Sequence, residues 1–130
     1  MNRGENAPLI LIVEDNEVHI RLMCDLLTRH GMRVISCKNP REAISLIQKS
    51  KPDLILMDIS LKEMSGLELT QIIKKTPSIA RIPVVALTAH ATKRDQENAR
   101  SAGCVGFITK PINTRLFPKK IAGFLNNITS

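Results

Sequence analysis

The sequence predicts an α/β domain in which five short strands alternate with five helices and pair as a parallel sheet covered on both faces. Three observations lead there. Apolar stretches rich in branched residues recur at residues 9–13, 34–36, 54–57, 84–87 and 106–109, without the strict alternation of a strand exposed on one side. A segment long enough for a helix follows each of them. The 130 residues suit one domain with a real core and leave little room for a second.

The first strand, Leu9-Ile10-Leu11-Ile12-Val13, follows a polar segment ending in Pro8, so residues 1–8 are expected to form a loose tail. Residues 16–30 read as a helix with Leu22, Met23, Leu26 and Leu27 on one stripe. That stripe leaves Val18 and Ile20 on the flanks and turns His19 and His30 toward the core. Gly31 is placed to end the helix. After the strand Val34-Ile35-Ser36, Asn39 caps the next helix with Pro40 at its first position, and Ala43, Ile44, Leu46 and Ile47 supply the apolar face. Leu54-Ile55-Leu56-Met57 would serve in a helix as well, but Pro52 before it and the acidic turn after it favour a strand. Residues 65–75 carry Leu67, Leu69, Ile72 and Ile73 at helical spacing. Residues 92–102 are mostly polar, which predicts an exposed helix, ended by Gly103. The last helix, 117–128, places Ile121, Phe124, Leu125 and Ile128 on one face. Pro118 would break a helix interior, so its regular part is expected to start near that residue. Right-handed crossovers restrict how such units assemble. No internal linker, repeat or low-complexity segment interrupts the pattern, and no output domain is expected after the last helix.

With no Trp, no Tyr and three Phe, the core must be aliphatic. No apolar run approaches the roughly 20 residues of a membrane span, and the first strand is too short for a signal-peptide core. A cytoplasmic protein with no membrane partner is the expectation. Cys24, Cys37 and Cys104 are odd in number and far apart, without metal-ligand spacing; reduced, partly buried thiols are the simpler reading. The net charge of +7 admits nucleic acid, an anionic surface or an acidic protein as partner. The basic residues are spread along the chain, however, and Lys74-Lys75 and Lys119-Lys120 are only pairs, so solvated faces explain each and nucleic acid is not expected.

Ligands of an open parallel sheet bind outside the carboxyl ends of the strands, where the strand order switches. Glu14 and Asp15 follow the first strand, Asp58 the third, Thr88 the fourth, and Lys110-Pro111 the fifth. Taken singly, Asp15 or Asn16 could cap a helix, Asp58 turn a loop, Thr88 cap a helix, and Lys110 sit on the surface. Five such residues together are far harder to assign to chance. Converging carboxylates repel unless a cation lies among them, and hard oxygen ligands suit Mg2+. A lysine and a hydroxyl complete a cradle for phosphoryl oxygens, so the set suits phosphoryl transfer to an aspartate.

Ile12-Val13-Glu14-Asp15-Asn16, Asp53-Leu54-Ile55-Leu56-Met57-Asp58, Ile82-Pro83-Val84-Val85-Ala86-Leu87-Thr88-Ala89, Ala102-Gly103-Cys104 and Lys110-Pro111 resemble the receiver domain of response regulators, the CheY-like superfamily. The resemblance covers residues 8 to 127, and stand-alone receivers of the chemotaxis and cell-division kind are the most similar in shape. It implies a receiver over residues 9–128 with the (βα)5, doubly wound, flavodoxin-like fold and the strand order 2-1-3-4-5. It implies a single-domain response regulator of a two-component phosphorelay, serving cell-cycle or cell-division control, that catalyses only its own phosphoryl transfer and dephosphorylation.

By the same resemblance Asp58 is the phosphoacceptor. Asp15 and Asp58 hold Mg2+ through side chains, Ser60 through its backbone carbonyl, and Glu14 through water. Lys110 pairs with the phosphoryl group across a cis bond to Pro111, Thr88 hydrogen-bonds a phosphoryl oxygen, and Phe107 is the switch aromatic. The implied partners are a histidine kinase or histidine phosphotransfer protein and a downstream protein that reads the face of the fourth helix, fifth strand and fifth helix. The helix stripe itself leaves Val18 and Ile20 either to dock the phosphodonor or to tuck under neighbouring loops. Two departures stand out. Lys62 occupies the position, four residues after Asp58, where the family usually has Pro, and Ser60 and His90 sit where side chains gate water. A receiver-like interaction module that acts without phosphorylation is the alternative. A flavodoxin-like enzyme is disfavoured because no glycine-rich loop follows the first strand.

Overall fold

The computed structural model describes residues 6–129, and side chains over residues 6–126. Its elements alternate as expected: β1 (Leu9–Val13), α1 (Glu17–Arg29), β2 (Arg33–Cys37), α2 (Pro40–Ser50), β3 (Leu54–Asp58), α3 (Gly66–Lys74), β4 (Val84–Thr88), α4 (Lys93–Ala102), β5 (Gly106–Thr109) and α5 (Phe117–Thr129). All strand pairs are parallel, in the order β2-β1-β3-β4-β5.

Local chemistry sets the helix ends. The Asn16 side chain accepts from the amides of Val18 and His19, Asn39 from Arg41, Ser65 from Leu67, and Thr92 from Asp95, so each N-terminus has a side-chain cap. Gly31 and Gly103 take positive φ just beyond α1 and α4, where a side chain would be strained. The side chain of Asn113 accepts from Arg115 and Leu116 ahead of α5, and Pro118 falls in the first turn, where its missing N–H costs nothing.

Alternate strand residues feed two layers. Leu11, Val13, Ile55, Met57, Val84 and Ala86 pack with Ala43, Ile47, Leu69, Ile73 and Ala99 of α2, α3 and α4. Ile10, Ile12, Leu54, Leu56, Val85 and Leu87 pack with Met23, Leu27, Phe117 and Ile121 of α1 and α5. Each buried Val, Leu, Ile, Met or Phe side chain among them contributes roughly 1.5–3 kcal/mol.

Three expectations need correction. Only β3 and β4 are buried throughout, and β1 beyond Leu9, because β2 and β5 are edge strands with fewer covering neighbours. The supposed loose tail is tied down at its end: the carbonyls of Ala7 and Pro8 accept from the Arg33 side chain (3.0 Å) and amide (2.9 Å). Residues 1–5 of that tail, and the Ile128 side chain, lie outside the described residues. The core stripe of α1 is Ile20, Met23 and Leu27, with Leu22 exposed. Six apolar residues crowd that helix and fit more than one face; contact with the sheet and α5 chooses among them.

Candidate functional site

The strand register assembles the site. Val13 lies beside Met57, which brings Glu14 next to Asp58. Asp58 pairs with Leu87, one residue before Thr88, and Thr88 pairs with Thr109, one residue before Lys110. Four neighbouring strands thus deliver acids, an acid, a hydroxyl and an ammonium to one end of the sheet, at the switch between β1 and β3.

Lys110 Nζ donates to Glu14 Oε1 at 2.7 Å and lies 3.3 Å from Asp58 Oδ2. Glu14, Asp15 and Asp58 each bring an oxygen within 4.8 Å of the others. Backbone amides fix their orientation: Ser60 donates to Asp58 Oδ1 (3.0 Å), Asp15 and Asn16 donate to Glu14 Oε2 (3.1 and 3.2 Å), and Lys62 donates to Asp15 Oδ2 (2.9 Å). The last bond gives the Lys62 departure a physical meaning, since a proline there would have no N–H to offer. The Lys110–Pro111 peptide bond is cis.

Burial, and then the Glu14 carboxylate beside it, push the Asp58 carboxyl above its ordinary range. Burial would raise Glu14 too, but its hydrogen bond with Asp58 and the Lys110 ammonium hold it below. Of the two carboxyls, Asp58 is therefore the one that takes up a proton first as pH falls. Lys110 alone does not offset three carboxylates, and an all-oxygen donor set fits a hard divalent cation.

A stability prediction follows. A carboxyl raised in the folded state stabilises the fold below its unfolded pKa, and that stability is lost as pH rises through the folded one. Asp58→Asn keeps the shape and removes the repulsion, so without divalent metal it should raise the melting temperature at pH 8 by several degrees, about 1 kcal/mol, with the gain shrinking toward pH 4. Glu14 has the opposite dependence, and the amide that replaces the carboxyl can still donate to it. Melts that are unchanged, or lower at pH 8, would contradict this picture.

The remaining expected residues fall as follows. Thr88 is buried, and its hydroxyl donates to the His90 carbonyl (2.8 Å) and accepts from the His90 amide (3.1 Å), so here it is engaged locally. Phe107 is half-buried on β5, against the core layer of α2, α3 and α4. Val18 is 72% exposed, whereas Ile20, at 5%, belongs to the core and offers no partner contact. His30 is exposed rather than packed. His19 is half-buried at the site itself, with Nδ1 3.4 Å from both Glu14 Oε1 and Lys110 Nζ. Side chains in a first helical turn lean back toward the N-terminus, so its place five residues after Glu14 was a usable signal. His19 and Lys110 also line a hollow of about 190 Å³ with Leu22, Pro111 and Ile112.

Residues 10–122 match the response regulator receiver domain family. The chain is a response regulator receiver. Its setting is therefore two-component signalling. The receiver is 43% identical over 118 residues to the polar-differentiation response regulator DivK of Brucella anthropi, covering 91% of this chain and 96% of that protein, and 42% identical to DivK of Brucella ovis over the same share. Among solved structures, the receiver domain of a signal transduction histidine kinase from Syntrophus aciditrophicus is 31% identical with a TM-score of 0.83, over 93% of this chain and 92% of that one. Vibrio cholerae chemotaxis protein CheY4 shares the fold, with a TM-score of 0.85 at 22% identity over 90% of this chain and 98% of that one. No helix among the described residues is long and apolar enough to cross a membrane.

Proposed function

We propose that the receiver accepts a phosphoryl group on Asp58 from phosphohistidine of a histidine kinase or phosphotransfer protein, and in doing so switches the binding of a downstream protein in polar differentiation or cell-division control. The observation that carries this reading is the meeting of the Asp58, Glu14 and Asp15 carboxylates with the Lys110 ammonium at one strand end.

A carboxylate oxygen of Asp58 forms the new O–P bond as the N–P bond of phosphohistidine breaks, and the imidazole leaves with the electron pair. Asp15 and Asp58 side chains, the Ser60 carbonyl and, through water, Glu14 are the ligands assigned to Mg2+. When bound, that ion offsets the charge of the carboxylates and of the incoming phosphoryl oxygens. Lys110 swings from Glu14 toward the phosphoryl oxygens. The product carries about −1.5 to −2 where Asp58 had −1. That charge draws the Thr88 hydroxyl from His90, the turn after β4 follows, and Phe107 rotates inward. The exposed Val18 and the hollow at Leu22 and Ile112 offer the donor an apolar seat beside the site. Free thiols at Cys24, Cys37 and Cys104 suit a reducing cytoplasm. No other substrate is turned over.

The test is incubation with acetyl phosphate and Mg2+, read by intact mass. One added phosphoryl group is expected in the native chain and none in Asp58→Asn; no gain in the native chain would sink the reading. Thr88→Val should still gain the mass, while losing at least about tenfold of any difference in partner affinity between the two states, as expected when one differential contact is removed. An unchanged difference would remove Thr88 from the switch.

A further inference from the structure

The Lys110 ammonium has a third neighbour besides its two carboxylates. His19 Nδ1 lies 3.4 Å from Lys110 Nζ and 3.4 Å from Glu14 Oε1. Lys110 Nζ lies 2.7 Å from that same oxygen and 3.3 Å from Asp58 Oδ2. An ammonium carries three hydrogens and no lone pair, so its three neighbours here match its donors one to one. Both backbones are held: the His19 amide donates to the Asn16 cap at 3.2 Å, and the Lys110 amide to the Thr88 carbonyl at 2.8 Å. The two side chains, 91 residues apart in sequence, therefore meet because the start of α1 and the end of β5 bring them together.

The ammonium dictates what Nδ1 must offer. A hydrogen on Nδ1 would set an N–H beside a group that can only donate. A lone pair there accepts from Lys110, and the ring hydrogen then belongs to Nε2. Glu14 Oε1 and His19 Nδ1 become two acceptors with one ammonium between them. They differ in that Glu14 carries charge and His19 in this form does not. A neutral acceptor holds the ammonium without adding a fourth negative charge to Glu14, Asp15 and Asp58. The Lys110 side chain is only 17% exposed, so water poorly replaces an acceptor taken from it.

We propose that His19 is a positioning residue for phosphoryl transfer: its Nδ1 lone pair holds the Lys110 ammonium so that the hydrogen now aimed at Asp58 is presented to the incoming phosphoryl oxygens. This rests on the phosphoacceptor reading and adds a residue to it. As Lys110 moves from Glu14 to the phosphoryl group, His19 is the acceptor it keeps, which limits the motion to a turn about one fixed contact. No proton passes through the ring. Packing is the competing role, because His19 also lines the hollow with Leu22, Pro111 and Ile112. The two roles call for opposite replacements. Asn puts its Oδ1 where the ring has Nδ1 but fills less space, whereas Leu fills the hollow and has no acceptor.

The test uses the full chain at pH 8 and has two readouts. One is the rate of mass gain with Mg2+ and acetyl phosphate; the other is the ring-nitrogen NMR spectrum of its histidines. The ring whose signals vanish in His19→Asn should show an unprotonated Nδ1 and a hydrogen on Nε2. His19→Leu should slow the mass gain by about threefold or more, the lower end for one hydrogen bond, and His19→Asn should stay within about twofold of native. A hydrogen on Nδ1 overturns the proposal. So does a native rate in His19→Leu, or His19→Asn as slow as His19→Leu, either of which leaves the ring a packing role. No mass gain in the native chain sinks the phosphoacceptor reading and the proposal with it. Native mass gain that His19→Leu leaves unchanged sinks the proposal alone.

Discussion

Lys110→Met is expected to destabilise the fold by roughly 3 kcal/mol at pH 8 and by much less near pH 4, because removing one partner of a buried ion pair leaves charge without compensation. Glu14 is 1% exposed, and Lys110 is the cation nearest to both its carboxylate and that of Asp58. The ammonium helps hold Glu14 below its ordinary range. Without it, only hydrogen bonds (from Asp58 and the Asn16 amide to Glu14, and from the Ser60 amide to Asp58) oppose burial, and both acids rise. Groups raised in the folded state stabilise it at low pH, and that stability is lost as pH rises through their folded values. The deficit should therefore open between weakly acidic and neutral pH. Adding Glu14→Gln should return most of the loss, since a neutral amide keeps the shape and needs no counter-ion. Urea denaturation across that range, without divalent metal, gives the measurement. A deficit independent of pH, or no recovery in the double variant, would show that Lys110 acts by packing alone.

Gly66→Ala should cost about 3 kcal/mol and disturb the site as well as the fold, at the upper end of what overpacking does. A Cβ there would lie 2.2 Å from the Asp58 carbonyl oxygen and 2.8 Å from the Ile59 Cα. Both are backbone atoms, with no flexible end to yield. The Gly66 amide also donates to the Ile59 carbonyl (3.2 Å), so the start of α3 is pressed onto the strand end that presents Asp58. Relief of the clash must move either the helix or the phosphoacceptor loop. Denaturation should show the loss, and phosphorylation by acetyl phosphate should slow by at least about tenfold, the scale of misplacing a reacting group by an ångström or less. Gly123→Ala, where a Cβ meets nothing within 4 Å, is the control and should leave phosphorylation unchanged. Native stability and rate in Gly66→Ala would show that the turn gives way freely.

Much of this was legible beforehand because strand ends in a parallel sheet are marked twice. An apolar run says where the strand lies, and the polar residue that breaks it says what the strand presents. Glu14, Asp15, Asp58 and Lys110 were found in that way, and the structure draws them together. His19 was misplaced because helical spacing alone ignores how first-turn side chains lean back over the preceding strand. Ile20 and Leu22 were exchanged because an apolar-rich helix satisfies several faces until a sheet selects one.

By itself the sequence determined the elements, their caps and the chemical inventory at the strand ends, since these depend on neighbours a few residues apart. Tertiary structure alone decided which oxygens face which cation, and that Lys110 rests on Glu14 beside Asp58 and His19. Those facts join residues as distant along the chain as Glu14 and Lys110. Coulomb energies and hydrogen bonds turn on ångström separations that residue order does not encode.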